Sequence, residues 1–176
     1  MRTTSSFTLR MQNKNIVILC IFITISCNNI VFGDDDRRIS MNASPVTVKL
    51  EAEVKSGDLV ATLIFQNTLT HPIFLDKHTA SLTDEPTSRL FEITDIDGNL
   101  INYKGLQVKR KFNKNDFVEL KSGASVKATV ILNDWYKFHD GNHVYSILYT
   151  ALNHSYDKQK LFEMTSNETL VKYNRK

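Results

Sequence analysis

The residues best suited to bind a metal in this sequence are His139 and His143, which stand four positions apart. On a helix, this spacing places two imidazoles on one face, where they can share a zinc ion. The residues between them, Asp140, Gly141 and Asn142, favour turns, and the position of the catalytic glutamate in a His-Glu-x-x-His motif is held by an aspartate. We therefore predict a hairpin loop that enters a strand, with no metal and no cofactor.

Other catalytic patterns receive no support from the spacing of the residues. Serine, histidine and aspartate are all present, but the sequence has no Gly-x-Ser-x-Gly nucleophile elbow, and its six glycines stand singly rather than in a phosphate-binding loop. The acidic residues at 51–53 and 84–85 do not have the pattern of a glycosidase carboxylate pair and are expected to be solvated. The sequence thus predicts a protein that is not an enzyme.

A cluster of five cations within eleven residues is the strongest candidate for binding. One interpretation is an interaction strip for an acidic extracellular protein, a sulfated glycan or a phospholipid surface. The other is a solvated edge strand, on which lysines block unwanted sheet pairing. The cations are Lys104, Lys109, Arg110, Lys111 and Lys114.

Three further predictions come from an aromatic cluster, from a tyrosine and from glycosylation sequons. Trp135, Tyr136 and Phe138 form either a ligand platform or, as we prefer, a plug at the end of the core. The tyrosine that follows Gly141, at position 145, is expected to pin the neighbouring loop through its hydroxyl group, as a tyrosine corner does. Three Asn-x-Ser/Thr sequons mark candidate glycosylation sites, each expected at the surface: Asn42, Asn153 and Asn167.

The elements that must position these residues are short strands. Apolar residues alternate with polar ones over 46–52, and 59–65 is nearly all apolar, as in a central strand. The Asp-Gly sequence within 95–99 predicts a hairpin with a primed turn, continued by Leu100, Ile101 and Tyr103, and 117–132 has the pattern of a further hairpin. No stretch shows a helical stripe. Strands separated by turn residues at spacings of about 8–12 positions predict an all-β protein, an antiparallel sandwich.

The order of several short segments resembles a known family. The segments are 59–69, Arg-Leu-Phe-Glu-Ile-Thr-Asp-Ile-Asp-Gly at 89–98, Tyr-Lys-Gly-Leu-Gln-Val-Lys at 103–109, Leu-Lys-Ser-Gly-Ala-Ser-Val at 120–126, and Trp-Tyr-Lys-Phe at 135–138 leading to 141–145. Over residues 46–151, they resemble the N-terminal immunoglobulin-like domain of secreted, deuterolysin-type peptidyl-Lys metalloendopeptidases. The resemblance implies an immunoglobulin-like β-sandwich and a protease-binding or inhibitory role. The family's zinc-binding His-Glu-x-x-His motif does not occur here, so protease activity is not implied.

The N-terminal segment has the pattern of a secretory signal. Residues 1–33 contain three cations, no acid and an apolar run over 16–25, which is too short to span a bilayer. A cut after Gly33 would leave a charged, flexible arm at 34–45 and one domain at 46–176 with no cysteine. Alternatively, Ile-Ser-Cys at 25–27 resembles a lipobox, in which case Cys27 would carry a lipid anchor.

Composition and charge limit the kinds of partner. The 176 residues are 41% hydrophobic, with 22 cations against 19 acids, but residues 34–176 hold 19 of each. That charge is polarised: residues 34–103 have 6 cations and 12 acids, and residues 104–176 have 13 cations and 7 acids. A general attraction to nucleic acid is therefore not expected.

Together, these features predict a secreted, non-enzymatic, extracellular binding module without a transmembrane span. Its expected partner is an extracellular protein or a glycan. The alternatives are a structural component of the extracellular matrix or cell surface, and a membrane-anchored lipoprotein.

Overall fold

The computed structural model describes residues 44–83, 86–154 and 161–176. The predicted signal segment with Cys27, the sequon at Asn42 and all but the last two residues of the predicted arm lie outside these ranges. The described chain forms strands and two three-residue 3-10 turns, at Lys114–Asp116 and Leu132–Asp134. The strands are β1 (Val46–Lys55), β2 (Asp58–Asn67), β3 (Ile73–Asp76), β4 (Phe91–Asp95), β5 (Phe117–Leu120), β6 (Ser125–Ile131), β7 (Gly141–His154), β8 (Leu161–Thr165) and β9 (Thr169–Arg175).

The first sheet has the antiparallel order β1-β2-β6. Val46, Val48 and Leu50 of β1 are buried, whereas the residues between them are exposed, which confirms the predicted alternation. β2 lies between the other two strands and is mostly buried, as its apolar run predicts. Gly57 has a φ of 96°, so the turn between β1 and β2 uses a conformation that glycine adopts without steric cost.

The second sheet is built around the long strand β7. Its first part pairs with β4 and β9, and its last five residues pair with β8, all antiparallel. The turn after β4 is closed by Asp95, whose side chain accepts hydrogen bonds from the backbone N–H groups of Asp97 and Asn99. Gly98 has a φ of 82°. A turn therefore forms at the predicted place, but the predicted hairpin with a primed turn is wrong: only an isolated bridge, Thr94 to Leu100, follows the turn, and β4 pairs with β7 instead.

The predicted hairpin over 117–132 is wrong. β5 pairs with β3, whereas β6 pairs with β2, so the chain passes from one sheet to another between them. The buried side chain of Asn67 explains this path: its amide donates hydrogen bonds to the carbonyls of Leu120 and His71. Its backbone N–H also bonds to the Ala124 carbonyl at 3.0 Å. The turn thus closes around Asn67 instead of pairing its own flanking strands.

The core is one cluster of apolar and aromatic side chains contributed by strands of every sheet. The ring of Phe65 in β2 meets that of Tyr149 in β7 edge to face at 5.6 Å, and Tyr149 meets Phe91 of β4 at 5.7 Å. The all-β, antiparallel prediction is therefore confirmed. Within the described ranges, no helix has the length and hydropathy needed to cross a membrane.

Candidate binding groove

The basic segment, which we define as residues 104–114, is held to the domain by loops rather than by a strand. The Lys104 N–H bonds to the Trp135 carbonyl at 2.8 Å, and the Val108 N–H bonds to the Thr87 carbonyl at 3.0 Å. Residues 104–113 contain no strand. The interpretation of this segment as a solvated edge strand is therefore wrong, because the segment has no ladder of strand-to-strand hydrogen bonds.

The five cations of the basic segment have different surroundings. Lys104 donates to the Asn133 carbonyl at 3.0 Å, and Lys114 lies in the first 3-10 turn. Lys109 and Lys111 are exposed. Arg110 points inward instead: its side chain is only 15% exposed and its Nη2 lies 2.5 Å from Oδ2 of Asp76. The predicted strip is thus divided into exposed lysines and one half-buried, paired arginine.

Asp76, the partner of Arg110, was not identified from the sequence. It ends β3 with a side chain that is 0% exposed, and its Oδ1 accepts a hydrogen bond from the His78 N–H at 3.0 Å. Two charges buried together need such partners to offset their desolvation. The arginine is 34 positions away, and no local signal in the sequence links the two.

The Tyr149 phenol lies within the electrostatic reach of Asp76. Burial raises its pKa above the ordinary range, and the negative charge of Asp76 adds to the shift. The hydroxyl therefore stays protonated and donates a hydrogen bond to the Thr79 carbonyl at 2.6 Å. This bond ties the turn after β3 to β7.

A groove of about 310 Å³ opens over the ion pair. Arg110 and Asp76 lie on its floor beside Phe112, over whose ring the guanidinium carbon sits at 5.2 Å from the centroid. The Phe112 ring packs against His154, with 4.4 Å between the centroids. Nη1 of Arg110 is buried and has no hydrogen-bond partner in the described part of the chain. Buried polar atoms without hydrogen-bond partners are rare, so this nitrogen makes the groove a candidate binding site.

A second groove, of about 370 Å³, lies beside β6. Its lining includes the half-buried Trp135, together with Lys127 and Asp134. Ser81 also lines it, with a φ of 52° and a buried Oγ that has no hydrogen-bond partner among the described residues. An indole beside hydroxyl and charged groups is a combination that suits a sugar ring.

The sequon asparagines differ in their surroundings. The surface position expected for Asn153 is wrong: the residue is 0% exposed. Its Oδ1 accepts from the Asp76 N–H at 2.9 Å, and its Nδ2 donates to the Phe74 and His154 carbonyls. This amide thus holds β3 against β7, and the folded site has no space for a glycan. Asn167 is exposed, as predicted, although its amide also bonds to both backbone groups of Leu50.

His139 lies in the loop before β7 and His143 lies in β7 itself, so the predicted loop that enters a strand is confirmed, although the described chain has no strand just before this loop to form a hairpin. Gly141 has a φ of 88°, and the His143 ring bonds to the Asp140 carbonyl through Nε2 at 2.9 Å. The His139 and His143 centroids are 5.5 Å apart. In the described residues, no group of three or more histidine, cysteine, aspartate or glutamate side chains is placed to hold a metal.

The aromatic residues mainly fill the core. Tyr136 and Phe138 are 3% and 2% exposed, which confirms the core interpretation for these two. The Tyr145 hydroxyl accepts a hydrogen bond from the His139 N–H at 3.1 Å, so its predicted role in pinning the neighbouring loop is also confirmed. Trp135 is only half-buried, and it packs over the basic segment next to Gly105.

No protein-family model matches the chain, and no curated protein is significantly similar to it in sequence. The resemblance to the metalloendopeptidase domain therefore stays a prediction.

Proposed function

We propose that the protein is a secreted, non-enzymatic binding module that recognises another extracellular protein through the basic segment. Several features support an immunoglobulin-like β-sandwich as its fold: two main antiparallel sheets, one shared core, and a tyrosine whose hydroxyl holds a neighbouring loop. The composition of residues 1–33 supports secretion.

The observation that carries this proposal is the pairing of exposed apolar and basic side chains on an anchored loop. Leu106 and Val108 are 77% and 53% exposed, and Lys109 and Lys111 beside them are exposed as well. Hydrogen bonds from Lys104 and Val108, together with the Arg110 ion pair, fix the path of the backbone. A loop that is already ordered loses little entropy when it binds, which favours recognition.

The kind of partner follows from charge and from the resemblance. Lysines around an apolar pair favour a protein surface with acidic residues around an apolar contact. The resemblance to a protease-associated domain suggests a protease as the partner, and an inhibitory role.

A glycan is the second candidate, favoured by Trp135 and by the Ser81 hydroxyl in the second groove, which has no hydrogen-bond partner among the described residues. A matrix component, and a lipoprotein anchored through Cys27, are the remaining alternatives.

A pull-down from the native extracellular fluid at low salt tests the proposal. The full chain is expressed in a secretory host, and the purified protein is immobilised in three forms. These are the wild type, the Leu106→Ser/Val108→Ser variant and a matched control, Ile96→Ser/Leu170→Ser. The control residues are 81% and 72% exposed, so it removes similar apolar surface elsewhere.

We expect the wild type and the control to capture the same protein, and the segment variant to lose most of it. Two results would count against the proposal. One is that no protein is recovered by the wild type. The other is that the segment variant captures as much as the control does.

A further inference from the structure

The Arg110 guanidinium is the first feature of the 310 Å³ groove that points to a ligand. A guanidinium group presents five N–H donors in a planar fork that matches a carboxylate. Nη2 is bound to Asp76, whereas Nη1 is buried and has no hydrogen-bond partner among the described residues. Nη1 is too buried for direct contact with a ligand, so Arg110 acts on the groove through its positive charge, which attracts an oxyanion.

The charge around the groove favours a ligand with a single negative charge. Among the described lining residues, two arginines, Arg89 and Arg110, accompany one carboxylate, Asp76, which leaves one positive charge. Arg89 is exposed and has no ion pair with another described residue, so it is available to a ligand. The hydroxyls of Thr87 and Ser88 add further donors on the same wall.

The remaining walls are apolar or aromatic. Val108 and Leu152 line the groove and are 53% and 41% exposed, and Phe112 stacks with His154 on another side. A sulfated sugar is polar over nearly all of its surface and would leave these walls without apolar contact. An acidic peptide brings apolar groups next to its carboxylate. The volume of about 310 Å³ is at the small end of ligand sites, which suits one acidic side chain with its neighbours.

We propose that this groove binds a glutamate or aspartate carboxylate of an acidic, partly apolar peptide segment in the partner. The carboxylate accepts from the exposed guanidinium of Arg89 and is attracted by the positive charge of Arg110, while the flanking apolar side chains contact Val108 and Leu152. This inference rests on the proposed binding function and names the chemistry of the partner. Arg110 also holds Asp76, so the fold itself keeps this guanidinium at the groove.

The experiment is a titration followed by 15N NMR, on protein purified after expression of the full chain. The probe is a capped peptide of alternating leucine and glutamate, and its control is the same peptide with glutamine in place of glutamate. A heparin-derived tetrasaccharide is the third ligand. The variants are Arg89→Gln and a matched control, Lys172→Gln, which removes an exposed cation in β9 outside the groove.

We expect the glutamate peptide to shift the amide signals of Val108, Arg110 and Ala151, and the glutamine peptide to bind at least about tenfold more weakly. Arg89→Gln should weaken the binding of the glutamate peptide by a similar factor, whereas Lys172→Gln should leave the affinity for this peptide unchanged. Arg89 forms no ion pair with another described residue, so this test does not depend on disturbing the Arg110–Asp76 pair.

Three results would overturn the inference: equal binding of the two peptides, shifts that map away from the groove, or tighter binding of the tetrasaccharide in the groove. The pull-down variant changes Leu106 as well as Val108, and of these two only Val108 lines the groove. Loss of capture in the Leu106→Ser/Val108→Ser variant together with equal peptide binding would therefore refute the carboxylate site alone. Capture that does not depend on those two residues would refute the proposed function alone.

Discussion

Replacing Arg110 with alanine tests the buried ion pair that shapes the groove. The variant leaves the carboxylate of Asp76, which is 0% exposed, without the cation that lies 2.5 Å away. Removing one partner of a buried pair costs roughly 3–5 kcal/mol, because the remaining charge stays desolvated. Asp76 keeps the hydrogen bond from the His78 N–H, which places the expected loss near the lower end, at about 3 kcal/mol.

Urea unfolding followed by the fluorescence of the single tryptophan, Trp135, measures this loss. The matched control is Lys109→Ala, which removes an exposed cation next in the chain and should change the free energy of unfolding by less than about 0.5 kcal/mol. The double variant Asp76→Asn/Arg110→Ala should recover part of the stability, since it leaves no buried charge. An Arg110→Ala loss no larger than that of Lys109→Ala would refute the reasoning.

Three further predictions concern buried groups and close packing. Burial raises the pKa values of Tyr136 and Tyr149 above the ordinary value of about 10, so these tyrosines ionise first in the unfolded chain. Their contribution to the free energy of unfolding should therefore be fully present below pH 10 and fall as the pH rises above it. Urea unfolding at pH 8 and pH 11 measures this, and an unchanged free energy of unfolding at pH 11 would contradict it. Asn153→Gln should destabilise by about 2 kcal/mol because it misplaces three hydrogen bonds of a buried side-chain amide. Ser155→Ala removes the sequon, and the intact mass of the secreted protein should show no loss of a glycan; a glycan lost with Ser155→Ala would refute the buried site. Gly105→Ala should lower the stability by about 1–3 kcal/mol, measured by a thermal melt, because the added Cβ would overlap the Tyr103 ring and lie 3.0 Å from a ring carbon of Trp135. The control is Gln107→Ala at an exposed position nearby, which should leave the stability unchanged.

The parts of the fold that the sequence predicts correctly are those set by local patterns. The alternation in β1 and the turn around Gly98 each depend on residues within a few positions of one another. The role of the Tyr145 hydroxyl also spans only six positions, to His139. In such cases, side-chain periodicity and turn chemistry are sufficient.

The features that the sequence does not reveal depend on distant contacts. Asp76 meets Arg110 across 34 positions and Asn153 across 77. The hairpin prediction at 117–132 failed for the same reason, since Asn67 redirects the turn from more than 50 positions away. A polar residue such as Asn153 has the same appearance in a sequence whether it is glycosylated at the surface or bonded in the core. Only the packing of β3 against β7 distinguishes the two.

Site-specific cross-linking tests the central claim, that a partner binds at the basic segment, most directly. A photoreactive amino acid is placed at Lys109 in one variant and at Lys172 in another, both of which are exposed. Each protein is irradiated in the native extracellular fluid, and the cross-linked products are identified by mass spectrometry. The account predicts one major cross-linked protein from position 109, which is absent from position 172. Equal products from the two positions, or none from position 109, would contradict it.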